Sequence, residues 1–253
     1  WLISDHPSAP SIIQSGVFAG GTLHDLVKQA PSALLGVCAR PTPPNRFPLL
    51  LKLLDAHDVL SVQVHPDDDQ AKRFGETDIG KTEMWYVIHA DEGASLYCGL
   101  QPELTDSDVR AAVESNCLER HLIAHTVQEG DGVMVPAGTV HAIGAGVILA
   151  EIQQNSDLTY RLYDWGRVQA NGKPRALHVE QALRVIGYHK PAPQVTRGLI
   201  RSEDGLERAV LAACRYFAAE RVHSSGVPVR LFTGNRSFHI LLAIEGCFTV
   251  VSE

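Results

Sequence analysis

Ser61-Val62-Gln63-Val64-His65-Pro66-Asp67-Asp68 sets three polar side chains in alternation with two valines. In an extended chain, neighbours point to opposite faces, so Ser61, Gln63 and His65 share one face and Val62 and Val64 the other. The polar face of a strand usually meets water. Here the flanks argue for a core strand: the apolar run Leu49-Leu50-Leu51-Lys52-Leu53-Leu54 lies upstream, and Pro66-Asp67-Asp68-Asp69 reads as a helix start downstream. A Gln and a His two apart on such a strand can serve as a pair of metal ligands. Taken alone the pair is weak evidence, since a lone histidine is more often a satisfied core or surface residue.

The surrounding chain reads as mainly β with a few short helices. Upstream, Thr22 to Ala30 predicts a helix capped by Thr22 and closed by Pro31. Arg40-Pro41-Thr42-Pro43-Pro44-Asn45 reads as a rigid loop, and residues 48–55 and 59–65 as strands. Downstream, residues 66–74 predict a helix ended by Gly75. Glu83 to Ile88 and Ala94 to Cys98 are rich in β-formers. Thr105 to Asn116 has helical spacing, with Val109, Ala112 and Val113 on one face. Residues 123–128, 132–135, 146–153 and 158–164 are short strands cut by glycine and proline turns, the pattern of a sandwich or jelly roll. His178 to Ile186 predicts a last helix, with Val179, Ala182, Leu183 and Ile186 inward. Pro191-Ala192-Pro193 is the boundary candidate. Beyond it, residues 207–222 and 236–251 predict further strands, with Glu245-Gly246 as a turn. These are too few to close a second core, so the chain reads as an excerpt of a longer protein.

The 253 residues carry 22 basic and 29 acidic side chains, a net charge of −7. That balance argues against nucleic acid or an anionic membrane as the main partner, and it obliges any anionic small substrate to find local lysines or arginines. No apolar run reaches membrane-spanning length, and no basic-then-apolar signal segment opens the chain. The five cysteines, Cys38, Cys98, Cys117, Cys214 and Cys247, are far apart and lack a CxxC. They read as reduced thiols of a cytoplasmic protein rather than as a disulfide framework or a metal site.

A second stretch carries equal weight. Gly130-Asp131-Gly132-Val133-Met134-Val135-Pro136-Ala137-Gly138-Thr139-Val140-His141 fits Gly-x5-Pro-x-Gly-x2-His and resembles the second motif of the cupin superfamily. Pro136 and Gly138 make a tight turn, after which a strand begins with His141 aimed into the barrel. The motif's usual terminal Asn is Ala145 here. The usual His-x-His of the first motif is replaced by Gln63-Val64-His65. Glu83 opens a β run, which places its carboxylate at the mouth of a sheet. Gln63, His65, Glu83 and His141 then supply O, N, O and N donors with one negative charge. That set suits zinc with a position open for water or substrate, with cobalt and manganese as competitors.

Several further stretches are similar to type I mannose-6-phosphate isomerases: Leu51-Lys52-Leu53-Leu54-Asp55-Ala56, the Ser61–Asp68 stretch, Gly80-Lys81-Thr82-Glu83-Met84-Trp85, Pro136 to Gly144, Glu151-Ile152-Gln153-Gln154-Asn155-Ser156-Asp157 and Thr159-Tyr160-Arg161-Leu162-Tyr163-Asp164. The resemblance implies a cupin jelly-roll sandwich with inserted helices over residues 1–190, and the start of a second cupin-like β domain over 191–253. It implies one zinc per chain on Gln63, His65, Glu83 and His141, with Arg161 as the active-site arginine. The His that some members carry before Lys-x-Glu is Gly80 here.

The implied reaction, interconversion of mannose 6-phosphate and fructose 6-phosphate through an enediol, needs a proton carrier, a stabiliser of developing charge and a clamp on the phosphate. Arg161, Lys81 and Asp157 are the catalytic candidates. Lys81 is the first choice as proton carrier, and a nearby cation is expected to lower its pKa. Asp157 is the alternative base or a partner for Arg161. Lys52, Ser61, Lys81 and Arg161 are the candidates for holding the substrate, although Lys52 is equally consistent with a strand edge that points outward. Two other readings stand beside this one: a cupin oxygenase, which Gln63 disfavours, and a non-catalytic cupin that senses sugar phosphates.

Overall fold

The computed structural model describes residues 1–42, 45–203 and 205–251. Its strands are β1 (Leu49–Ala56), β2 (Val62–Val64), β3 (Glu83–Ala90), β4 (Ser95–Leu100), β5 (Leu122–Thr126), β6 (Gly132–Val135), β7 (His141–Ile143), β8 (Val147–Gln154), β9 (Tyr160–Tyr163), β10 (Val195–Thr196), β11 (Leu199–Glu203), β12 (Leu206–Ala213) and β13 (Ala218–Ser224). The helices are α1 (Leu23–Gln29), α2 (Pro31–Leu35), α3 (Asp68–Phe74), α4 (Asp106–Glu114) and α5 (Val179–Leu183).

Two antiparallel five-stranded sheets, ordered β1-β8-β3-β6-β10 and β5-β4-β7-β2-β9, pack face to face. Between them Trp85, Val87, Val133, Val135 and Leu149 of the first sheet meet Leu96, Cys98 and Ile143 of the second. This is the jelly-roll sandwich that the strand spacing predicted. Each sheet also buries its outer face. Val62, Val64, Ala142 and Leu162 pack under Val109 and Ala112 of α4 and Ala182 and Leu183 of α5. Leu49 and Met84 pack under Val27 of α1, Leu35 of α2, and Ala209, Leu211 and Phe217. Burying a Val or Leu fully is worth about 1.5–3 kcal/mol, so Val62 and Val64 commit β2 to one orientation. Its polar face then has to lie between the sheets. A one-residue slip would reverse every side chain of the strand.

The short helices form where their caps dictate. Thr22 and Asp25 make a reciprocal capping box for α1, as do Asp67 and Gln70 for α3 and Thr105 and Asp108 for α4. Gly75 ends α3 at φ +73°, a conformation that favours glycine. Pro66 stands one residue before the cap of α3 rather than in its first turn. Pro31 does not simply close α1; it opens α2 as its first residue, where a missing N–H costs nothing.

Two expectations fail for reasons visible in the packing. The helix expected over His178–Ile186 stops at Leu183, because the chain turns there to meet the Pro136–Gly138 turn, with Gly187 N donating to Gly138 O at 2.9 Å. The strands expected within 236–251 do not form. The start of this segment is tied to the loop after α2, where Val37 N and Cys38 N donate to Asn235 O and Arg236 O, and Phe238 packs on Phe47 with ring centroids 4.7 Å apart. β-forming residues become a strand only beside a partner, and none of the described strands pairs with this segment. The bend at Glu245-Gly246 is kept. In the proline loop, Pro43 and Pro44 lie outside the described residues.

After Pro193 the chain first adds β10 to the edge strand β6, then forms the three-stranded sheet β11-β12-β13 against the outer face of the first sheet.

Candidate metal centre

The buried polar face of β2 meets two other polar groups inside the sandwich. Gln63 lies opposite His141 in the β2–β7 register. Glu83 opens β3 on its inward parity, with Trp85 and Val87 following on the same face. His65, Glu83 and His141 bring ligand atoms within 4.8 Å of one another. His65 Nε2 is 3.5 Å from Glu83 Oε2, and His141 Nε2 is 3.3 Å from Glu83 Oε1. All three side chains are at most 1% exposed.

The outer hydrogen bonds fix what these rings offer. His65 Nδ1 donates to Leu158 O at 2.9 Å and His141 Nδ1 to Thr139 O at 2.8 Å. Each neutral ring therefore turns an unprotonated Nε2 inward. His65 Nε2, His141 Nε2 and Glu83 Oε1 have no hydrogen-bond partner, and Glu83 Oε2 has only the Lys81 ammonium 3.0 Å away. Buried polar atoms are rarely left this way, and four lone-pair donors around one point fit a divalent cation such as zinc.

Electrostatics agree. Burial, then Lys81, push His65 down to about 3, and burial holds His141 below its usual value. Burial alone would raise Glu83, but Lys81 and the two histidines outweigh it and keep the carboxylate well below its ordinary range. The ligands are thus in their metal-binding protonation states at neutral pH.

Lys81 Nζ lies 3.0 Å from Glu83 Oε2. Burial presses its pKa down, yet Glu83 and Glu151 hold it above the usual value. The protein groups around Lys81 thus raise its pKa, opposite to the lowering expected from a nearby cation. Lys52 points inward: Nζ donates to Glu151 Oε1 at 2.8 Å and Gln153 Oε1 at 2.6 Å. Its register partner on β8 is Glu151, so both share the inner face. Arg161 lies opposite Gln63 across β2–β9, with Nε on Ser61 Oγ at 3.4 Å and Nη1 on Ala176 O at 3.0 Å. Burial, then the charge of Arg175, press its pKa down. Asp157 is exposed before β9, its N–H donating to Asp78 Oδ2 at 2.8 Å, and it makes no ion pair with Arg161. It acts on Lys81 only through space.

Some polar groups around the candidate site escaped the sequence reading. Glu151 and Gln153 show the same period-two polar signal as Gln63 and His65. Glu151 Oε2 also accepts from Trp85 Nε1 at 3.2 Å. Arg167 and Arg175 carry no such signal, since they lie in the loops after β9. Both grip Asp164, Arg175 through Nε at 2.8 Å. A cleft of about 580 Å³ is lined by Ser61, Gln63, Asp164, Arg167 and Arg175 among others, so Gln63 of β2 lies in its wall, two residues before His65.

The fold and the site together define a cupin jelly roll with a buried two-histidine, one-carboxylate centre. The family described as phosphomannose isomerase type I, catalytic domain, matches residues 1–84. The chain is 39% identical over 253 residues to a mannose-6-phosphate isomerase of Streptococcus mutans, covering all of this chain and 77% of that protein. It is 38% identical over 246 residues to one of Bacillus subtilis, covering 97% of this chain and 75% of the relative. A crystal structure of the Bacillus subtilis mannose 6-phosphate isomerase superposes with a TM-score of 0.79 at 33% identity, over 89% of this chain and 70% of that one. The chain belongs to the type I phosphomannose isomerase family.

Proposed function

We propose that the chain interconverts mannose 6-phosphate and fructose 6-phosphate at this centre, with one zinc held by His65, Glu83, His141 and Gln63. The observation that carries the reading is the convergence of His65 Nε2, His141 Nε2 and the Glu83 carboxylate inside the sandwich, on strands adjoining Gln63, which opens onto a cleft that Arg167 and Arg175 also line. When bound, zinc supplies a Lewis acid for sugar oxygens.

The protein's own groups do the rest. Aldose–ketose isomerisation removes the proton at C2 and returns one to C1, while a proton moves between the two oxygens. Lys81 is the proton carrier in this account. Its high proton affinity depends on Glu83, and it drops once a cation shares that carboxylate's charge. Asp157, exposed and on the Lys81 side, is the alternative base. Arg161 keeps its charge at working pH and stabilises the developing enediolate. Lys52, held between Glu151 and Gln153, donates to substrate oxygens from the inner face. The phosphate lies further out, at Ser61, Arg161, Arg167 and Arg175. There the guanidinia of Arg167 and Arg175 face Asp164, and Arg167 also Asp58, in a protein whose overall charge repels anions.

Turnover of mannose 6-phosphate in deuterium oxide tests the path. Solvent deuterium is expected at C1 of the fructose 6-phosphate formed. No turnover of mannose 6-phosphate, or equal efficiency on free mannose, contradicts the proposal.

A further inference from the structure

Asp68 is a junction that the metal site does not explain. It is the first residue of α3, yet its side chain turns away to two neighbours. Oδ1 accepts from Gly80 N at 3.1 Å and from Gln154 Nε2 at 2.9 Å. Gln154 Oε1 in turn accepts from Thr82 N at 2.9 Å, and Gln154 N donates to Thr82 O at 3.1 Å. The segment Gly80-Lys81-Thr82, which delivers Lys81 and then Glu83, is thus clamped on both sides of Lys81. Lys81 N itself donates to Pro66 O at 3.0 Å. Gly80 makes the clamp close: a Cβ there would meet Asp67 C and Asp68 N at 2.4 Å.

The other oxygen of Asp68 is held from the second β region. Tyr216 OH donates to Asp68 Oδ2 at 2.7 Å and Arg215 Nη2 donates at 3.0 Å. Both belong to the turn between β12 and β13. That hairpin also lays Leu211, Ala212 and Phe217 against Met84, the outward neighbour of Glu83 on β3. The hairpin therefore reaches the ends of the Lys81–Glu83 segment by two routes, through Asp68 to Gly80 and through Met84 on the back of β3.

We infer that the β12–β13 turn sets the active-site geometry from outside the sandwich, with Tyr216 and Asp68 as positioning residues for Lys81 and Glu83. The inference rests on the reading of Glu83 as a metal ligand. Outer partners of metal ligands typically carry about 10–100-fold in affinity or activity. Tyr216 acts one contact further out, so its share is smaller.

The test compares wild type, Tyr216→Phe, Asp68→Asn and the double variant, with Glu220→Gln of the exposed Arg208–Glu220 pair as a control in the same hairpin. Zinc affinity of metal-depleted protein is measured by chelator competition, alongside kcat, KM and Tm. Tyr216→Phe keeps the ring in place and removes only the hydroxyl. It is expected to weaken zinc binding and lower kcat by about three- to tenfold, with KM within about twofold, and to add nothing in the Asp68→Asn background. Glu220→Gln is expected to match wild type. Wild-type zinc affinity and kcat in Tyr216→Phe overturn the inference, as does a lower Tm with zinc affinity unchanged. If wild type itself binds no zinc, the ligand reading fails and takes this inference with it. If wild type binds zinc and Tyr216→Phe is indistinguishable from it, this inference alone fails.

Discussion

Lys81 Nζ sits 3.0 Å from Glu83 Oε2 with both side chains almost wholly removed from solvent. An ion pair this deep is stable only as a pair, since removing one partner strands a buried charge at a cost of about 3–5 kcal/mol. A cation bound at the centre would compete with the Lys81 ammonium for the same carboxylate.

Lys81→Met separates the roles of this pair. Without the competing ammonium, zinc is expected to bind at least as tightly as in wild type, whereas turnover falls by at least about 100-fold, as general acid–base groups usually carry. Chelator competition and a coupled assay measure the two. Loss of zinc together with activity would show Lys81 to be a structural support of the centre and not its proton carrier.

Acid should unfold the metal-depleted protein early. His65 is pushed down to about 3 and His141 is also lowered, both chiefly by burial. Between the ordinary histidine pKa and these values the unfolded chain binds more protons than the native one, so stability falls as pH falls below about 6.5. Each site contributes up to about 1.4 kcal/mol per pH unit. The lowered Glu83 acts in the same sense, its stabilisation being lost as pH drops through the carboxylate range. Urea unfolding of chelated protein at pH 7 and pH 5.5 measures the fall. A His65→Gln variant is expected to show a shallower one, and an unchanged slope in that variant contradicts the assignment.

Arg161 and Arg167 should fail differently. Arg161→Lys replaces a planar fork with a point charge at the position the proposal gives to stabilising the enediolate. It is expected to lower kcat by at least about tenfold with zinc content intact. Arg167→Gln removes one cation of the proposed phosphate site, so KM for mannose 6-phosphate is expected to rise about tenfold while kcat stays within about threefold. Steady-state kinetics of both variants, with metal analysis, decide the matter. The opposite split would exchange the two roles.

What could be read from the sequence was set by periodicity. Gln63 and His65 stood out because they alternate with valines on one parity, Glu83 because it opens a β run, and His141 because a proline–glycine turn fixes where its strand begins. Lys52 was ambiguous until the β1–β8 register placed it beside Glu151. Arg167 and Arg175 were invisible, because loop residues have no parity and Asp164 joins them only in space. Asp157 and Arg161 looked like partners at a spacing of four, but Asp157 precedes the strand and its N–H is taken by Asp78. Residues 236–251 carry strand-forming side chains without a partner strand, a property of tertiary context that composition cannot supply.

Zinc titration of the metal-depleted protein, with isomerase activity read at each step, tests the central claim most directly. Activity on mannose 6-phosphate is expected to rise linearly and to plateau at one equivalent per chain, and Glu83→Ala is expected to show neither binding nor recovery. Full activity in the metal-depleted protein, or full stoichiometry and activity in Glu83→Ala, would contradict the account.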